Sequence, residues 1–163
     1  MKKQVNFILN GKSVSAEVAP HETLLDLLRN DFGLGGAKET CGLGLCGVCT
    51  IIVSGVPVSG CLHFASSIDG EEILTIEGME TEEGLHPVQE AFLNNKAFQC
   101  GYCTPGMILM AKKLLEENAN PSVEEIKDYM AGNICRCASY GQIIEAINEA
   151  SKLLQQEKAG LNA

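Results

Sequence analysis

The chain has 163 residues, of which 45% are hydrophobic and 20% charged, a globular composition that excludes a disordered chain. Lys and Arg number 12 against 21 Asp and Glu, a formal charge of -9, which excludes the basic surface that nucleic acid or an anionic membrane requires. Eight cysteines are left to be explained.

The apolar stretch after Lys2 and Lys3 is short, is broken by Asn6 and leads to no small-residue cleavage site, so it is not an export signal. No run approaches the ~20 apolar residues of a membrane helix. The chain reads as cytoplasmic, without membrane insertion. There thiols stay reduced, and a cysteine pattern binds metal rather than forming disulfides.

In chain order, Val5, Phe7 and Leu9 predict a strand, Asn10-Gly11 a two-residue hairpin turn, and Val14, Ala16 and Val18 the return strand. Leu24, Leu25, Leu27 and Leu28 form one face of a helix ending near Gly33. A glycine-rich segment, 33–47, leads to strands at 50–53, 56–58 and 73–76. Strands, one helix and more strands predict a small mixed sheet with a helix across it. The remainder is helical. Pro87 opens a helix to about Asn94, and Thr104-Pro105 reads as an N-cap with Pro at the first helical position. Ser122 to Glu125 is a capping box. A last helix runs from about Tyr140 to Leu154. The expected organisation is domain 1–78, linker 79–84, helical domain 85–155 and a loose tail, 156–163.

Cys41, Cys46, Cys49 and Cys61 are separated by four, two and eleven residues. C-x4-C-x2-C with a fourth Cys further on is the plant-type spacing for a 2Fe–2S cluster. The surrounding glycines let a loop wrap the cluster closely and turn backbone N–H groups towards sulfur. Cys100, Cys103, Cys135 and Cys137 form C-x2-C and C-x-C pairs, 31 residues apart, each ahead of a helix. Helix N-termini there favour thiolates. Structural zinc with four cysteine ligands is the competing metal site. A Rieske centre needs His paired with Cys, and His21, His63 and His86 lack that spacing. Gly42-Leu43-Gly44-Leu45-Cys46-Gly47 matches G-x-G-x-x-G, but it lies in the cysteine loop and leads into a strand, so it is not a dinucleotide site. No nucleophile–base or paired-carboxylate constellation stands out, and no substrate chemistry is expected in this chain.

The cysteine run 41–61, Gln99-Cys100-Gly101-Tyr102-Cys103-Thr104-Pro105-Gly106 and Gly132-Asn133-Ile134-Cys135-Arg136-Cys137 together resemble the iron–sulfur subunit of the molybdenum hydroxylases, the xanthine dehydrogenase and carbon monoxide dehydrogenase superfamily. The resemblance covers about residues 4–154. It implies an α+β chain: an N-terminal β-grasp ferredoxin-like domain followed by a C-terminal four-helix domain. It implies one 2Fe–2S cluster on Cys41, Cys46, Cys49 and Cys61 and a second on Cys100, Cys103, Cys135 and Cys137. It further implies a large partner subunit carrying the molybdopterin cofactor, a medium subunit carrying FAD, and assembly as a dimer of heterotrimers. Gln99 and Cys137 are expected against the pterin of the large subunit. Xanthine or another purine is the first substrate expectation, ahead of nicotinate, carbon monoxide and aromatic substrates. The chain departs from the family pattern in three places. Thr40 stands where Gly usually precedes the first cluster cysteine, and Val48 where Ala is usual. Cys137-Ala138-Ser139-Tyr140 replaces Cys-Thr-Gly-Tyr, so a hydroxyl is displaced by one residue and a glycine is lost.

Overall fold

The structure, a computed structural model, describes residues 1–80 and 84–160. Within the expected linker, residues 81–83 lie outside the described residues, as do 161–163 of the expected tail.

Strand β1 (Lys3–Leu9) turns through Asn10 and Gly11 into β2 (Lys12–Val18). Both turn residues have positive φ, 50° and 78°, the type I′ geometry that matches strand twist. The Asn10 side chain also ties the turn to Thr75: its Oδ1 accepts from the Thr75 N–H at 2.9 Å and its Nδ2 donates to Thr75 Oγ1 at 3.0 Å. Helix α1 (Leu24–Asn30) begins in a capping box of Thr23 and Asp26. Strands β3 (Thr50–Val53), β4 (Val56–Ser59) and β5 (Glu72–Leu74) complete a five-stranded sheet in the order β2-β1-β5-β3-β4. The β1–β5 pair is parallel, and the others are antiparallel. β5 stops short of the expected 73–76 because Thr75 turns its N–H to Asn10 and a single 3₁₀ turn occupies Ile76–Gly78.

The helical half comprises α2 (Pro87–Asn94), α3 (Thr104–Glu117), α4 (Val123–Met130) and α5 (Tyr140–Gly160). The Ser122–Glu125 capping box forms as expected. α2 has one that was not expected: His86 Nδ1 accepts from the Val88 N–H, and Gln89 Oε1 accepts from the His86 N–H. Two expectations are corrected. Thr104 does not cap α3. Cys103 already has helical dihedrals, and its carbonyl accepts from Met107 at 3.1 Å, so the helix starts one residue early and Thr104 lies inside it. Residues 156–160 are not a loose tail. Gln155, Gln156, Glu157 and Ala159 are good helix formers, and α5 runs on to Gly160.

Two hydrophobic clusters share one strand. Val5, Phe7, Leu24, Leu27, Leu28, Ile51 and Ile73 build the first, under α1. Phe92, Met107, Leu109, Ile126, Ile143 and Ile147 build the second, among the helices. Ile51 and Val53 face the first cluster and Ile52 the second. All four β3 residues are therefore buried, as a strand covered on both faces requires.

Candidate metal centres

The first four cysteines lie in the glycine-rich loop between α1 and β3 and just after β4. Gly42, Gly44 and Gly47 all have positive φ, which lets the loop coil and aim N–H groups inward. The Leu43 N–H donates to Cys41 Sγ at 3.4 Å. The N–H groups of Leu43 and then Leu45, followed by the Cys46 thiol, hold the Cys41 thiol down to about 6. Burial pushes Cys49 up to about 11, and the thiols of Cys61 and then Cys46 add to the rise. The Cys41 thiol thus interacts with that of Cys46, and the Cys49 thiol most strongly with that of Cys61.

The second four lie at the starts of α3 and α5. Cys100 meets Cys137 and is lowered by the Tyr102 N–H and then by Cys137 itself. Cys103 meets Cys135, and burial pushes Cys103 up to about 12. Burial also raises Cys135, but the N–H of Ser139, the Cys103 thiol and the backbone at Cys137 outweigh it, and Cys135 ends below the usual thiol range. The Ser139 N–H lies 3.4 Å from Cys135 Sγ, and the Tyr140 hydroxyl oxygen accepts from the Cys135 N–H at 2.9 Å.

All eight thiols are free. Two pairs per site suit a two-iron cluster, which takes two thiolates on each iron. Two further atoms fit such a guest. Thr104 Oγ1 and Ser139 Oγ are buried without hydrogen-bond partners. An unpaired buried hydroxyl costs about 1–3 kcal/mol, and cluster sulfur is an acceptor that would remove that cost.

The two centres are joined backbone to backbone. The Ile134 N–H donates to the Cys46 carbonyl at 2.9 Å. Asn133, 5% exposed, donates from Nδ2 to the Gly47 carbonyl at 2.9 Å. Thr50 Oγ1 donates to the same carbonyl at 2.7 Å. Tyr102 Oη reaches the Glu39 carbonyl at 2.7 Å. Sequence reasoning placed Asn133 only in the motif ahead of Cys135 and missed its bond to the first cysteine loop. Gln99 lies exposed beside the second centre, and its Nε2 donates to the Cys137 carbonyl at 2.9 Å.

Comparison with known proteins follows the same division. A 2Fe–2S iron–sulfur cluster binding domain model matches residues 7–75, and a [2Fe–2S] binding domain model matches 75–148. The nicotinate dehydrogenase small FeS subunit of Eubacterium barkeri is 47% identical over 91% of this chain and 95% of its own length. This chain belongs to the iron–sulfur subunits of the molybdenum hydroxylases. A probable xanthine dehydrogenase subunit of Bacillus subtilis is 44% identical over 89% of this chain and 83% of its own. Among solved structures, quinoline 2-oxidoreductase from Pseudomonas putida 86 superposes with a TM-score of 0.91 at 38% identity, covering 95% of this chain and 97% of the matched chain. The aldehyde oxidoreductase of Desulfovibrio desulfuricans matches equally well, with a TM-score of 0.91, but this chain spans only 17% of that longer one. As a subunit of this family, the chain holds two 2Fe–2S clusters and transfers electrons within an oxidoreductase, without substrate chemistry of its own. Among the described residues no helix is long and apolar enough to cross a membrane.

Proposed function

We propose that Cys41, Cys46, Cys49 and Cys61 hold one cluster and that Cys100, Cys103, Cys135 and Cys137 hold the other. Each cluster, when bound, takes up and gives back one electron at a time. The residues around it set the rest. In this reading Cys41 with Cys46, Cys49 with Cys61, Cys100 with Cys137 and Cys103 with Cys135 each serve one iron. N–H groups from Leu43, Leu45 and Ser139 steady the charged sulfurs. Burial of Cys46, Cys49 and Cys135 keeps water from part of each centre.

The observation that carries the reading is the hydrogen bond from Ile134 to the Cys46 carbonyl. It links a residue adjacent to Cys135 with a residue of the first centre, so the two clusters are bridged by one hydrogen bond and a few covalent bonds. Electrons from a molybdopterin-bearing large subunit would enter at Cys100–Cys137, cross at this bond and leave from the Cys41 loop towards an FAD-bearing medium subunit. Gln99 and Cys137 would meet the pterin. With one N–H engaged on Cys137, the Gln99 amide has its oxygen and its other N–H for that contact. The assembly is a dimer of heterotrimers in the cytoplasm. Its substrate is a nitrogen heteroaromatic ring: a purine is the reading from the sequence, and nicotinate is favoured by the 47% identity to a nicotinate dehydrogenase subunit.

Co-expression with the partner subunits tests this. The chain should carry about four iron and four sulfide, with two distinguishable reduced EPR signals. Cys49→Ser should remove one signal and Cys103→Ser the other. Turnover assays with xanthine, hypoxanthine and nicotinate assign the ring. Gln99→Ala should leave both clusters in place and slow their reduction by substrate. Stoichiometric zinc without iron would overturn the ligand assignment, and unchanged reduction in the Gln99 variant would overturn the pterin contact.

A further inference from the structure

Among the described residues two buried hydroxyls lack a partner, Thr104 Oγ1 and Ser139 Oγ, and both belong to residues beside the second centre. Thr104 directly follows Cys103. Ser139 is 1% exposed and has its backbone N–H 3.4 Å from Cys135 Sγ. Cys103 and Cys135 meet each other. Among the described residues no such hydroxyl accompanies Cys100 or Cys137. Ser139 also stands where the family pattern has glycine, so its hydroxyl is an addition to that pattern.

The backbone accounts for its placement. Ala138 has φ 61°, a left-handed residue between Cys137 and α5. That turn folds the chain back so that the N–H of residue 139 lies against the Cys135 sulfur. With almost no exposure, the hydroxyl has no water to bond to. The residue's own N–H lies 3.4 Å from the Cys135 sulfur, so the hydroxyl stands beside that ligand without a hydrogen-bond partner in the chain.

We propose that the Ser139 hydroxyl donates a hydrogen bond to sulfur of the second cluster, at the iron shared by Cys103 and Cys135, and so raises the reduction potential of that cluster above what glycine or alanine would give. The physical reason is charge. One electron arrives from the molybdenum-bearing partner, no bond breaks and no proton moves, and the sulfurs become more negative. An O–H donor therefore binds the reduced state more strongly than the oxidised one. Ser139 acts through the cluster and is a positioning residue. The proposal rests on the ligand assignment above.

The test is an EPR-monitored redox titration of the assembled complex, with iron and sulfide analysis of every sample. Ser139→Ala and Ser139→Gly should keep four iron and four sulfide per chain. Each should reduce its second cluster about tenfold less favourably, a fall of about 59 mV for a one-electron couple. The first cluster should not move. Ser139→Thr, which keeps the hydroxyl, should stay close to wild type. An unchanged second-cluster potential in the Ala and Gly variants overturns the proposal. So does a Thr variant shifted as far as Ala, or loss of the second cluster in both Ala and Gly, which would make the hydroxyl a structural prop. A wild-type protein lacking iron would instead overturn the ligand assignment, so the two failures are distinguishable.

Discussion

Replacing Gly106 by Ala probes the seam between the two centres. Gly106 lies in the first turn of α3, where alanine is intrinsically better by about 0.8–1.0 kcal/mol. In this place a Cβ would sit 2.6 Å from the Gly47 carbonyl oxygen and 3.2 Å from that of Val48. Ordinary contact begins near 3.5 Å, so α3 and the first cysteine loop would have to part by about 0.9 Å. The obstructing atoms are backbone, and one of them already accepts from Asn133 and Thr50. No rotamer change relieves that clash. Overpacking costs about 1–3 kcal/mol. Taking about 3 for an unyielding backbone contact and subtracting about 1 for helix propensity leaves a loss of about 2 kcal/mol. At about 2–4 °C per kcal/mol for a chain of this size, Tm should fall by about 4–8 °C. Gly141→Ala is the control. It too is helical, but a Cβ there meets nothing within 4 Å, so it should be neutral or stabilising by up to about 1 kcal/mol. Thermal melts of the cluster-loaded protein give both numbers, and the magnetic coupling between the reduced clusters reports the separation. A Gly106 variant as stable as the Gly141 variant, with wild-type coupling, would refute the close-contact argument.

Three further outcomes are expected. Burial first, and Lys112 second, lower the pKa of His86, with Glu116 opposing; the folded state therefore favours neutral His86, whose Nδ1 accepts the cap bond. The sign follows: this stability is whole above the ordinary histidine value of about 6.5 and is lost as pH falls from there through the lower folded value. Between pH 7.5 and 5.5, Tm should drop further in wild type than in His86→Asn, which keeps a capping acceptor that does not titrate; equal drops would refute it. Asn10→Ala should cost about 2 kcal/mol, from two lost side-chain bonds and a left-handed backbone, while Asn10→Gly should cost about 1 kcal/mol less; equal losses by denaturant titration would show that φ is unimportant there. Ser151 is 4% exposed and donates to the Ala119 carbonyl at 2.6 Å, tying α5 to the loop after α3, so Ser151→Ala should cost about 1 kcal/mol, and a melt within error of wild type would remove that tie from the account.

The local signals were legible because they act over a few residues. Asn10-Gly11 demanded two positive φ angles, Ser122 and Glu125 close a ring across one helical turn, and the spacing and glycines of Cys41 to Cys61 marked out one iron–sulfur loop, while the second set was read as a cluster site only through the family resemblance. One local reading failed where a distant part of the fold intervened: Thr104 follows a cysteine already bent into helical geometry, and its hydroxyl is left buried beside the second centre. Other features belong to the tertiary structure alone. The pairing of Cys100 with Cys137 and of Cys103 with Cys135 crosses the sequence order of neighbouring thiols, and only the juxtaposition of the starts of α3 and α5 decides it. Asn133 reaches the Gly47 carbonyl 86 residues away, and Gly106 is small because a second loop lies against its helix. Residue type and spacing encode what a segment can do by itself; which loop it touches depends on how the sheet and the helices bury their two faces on β3, a contact that no short window of sequence contains.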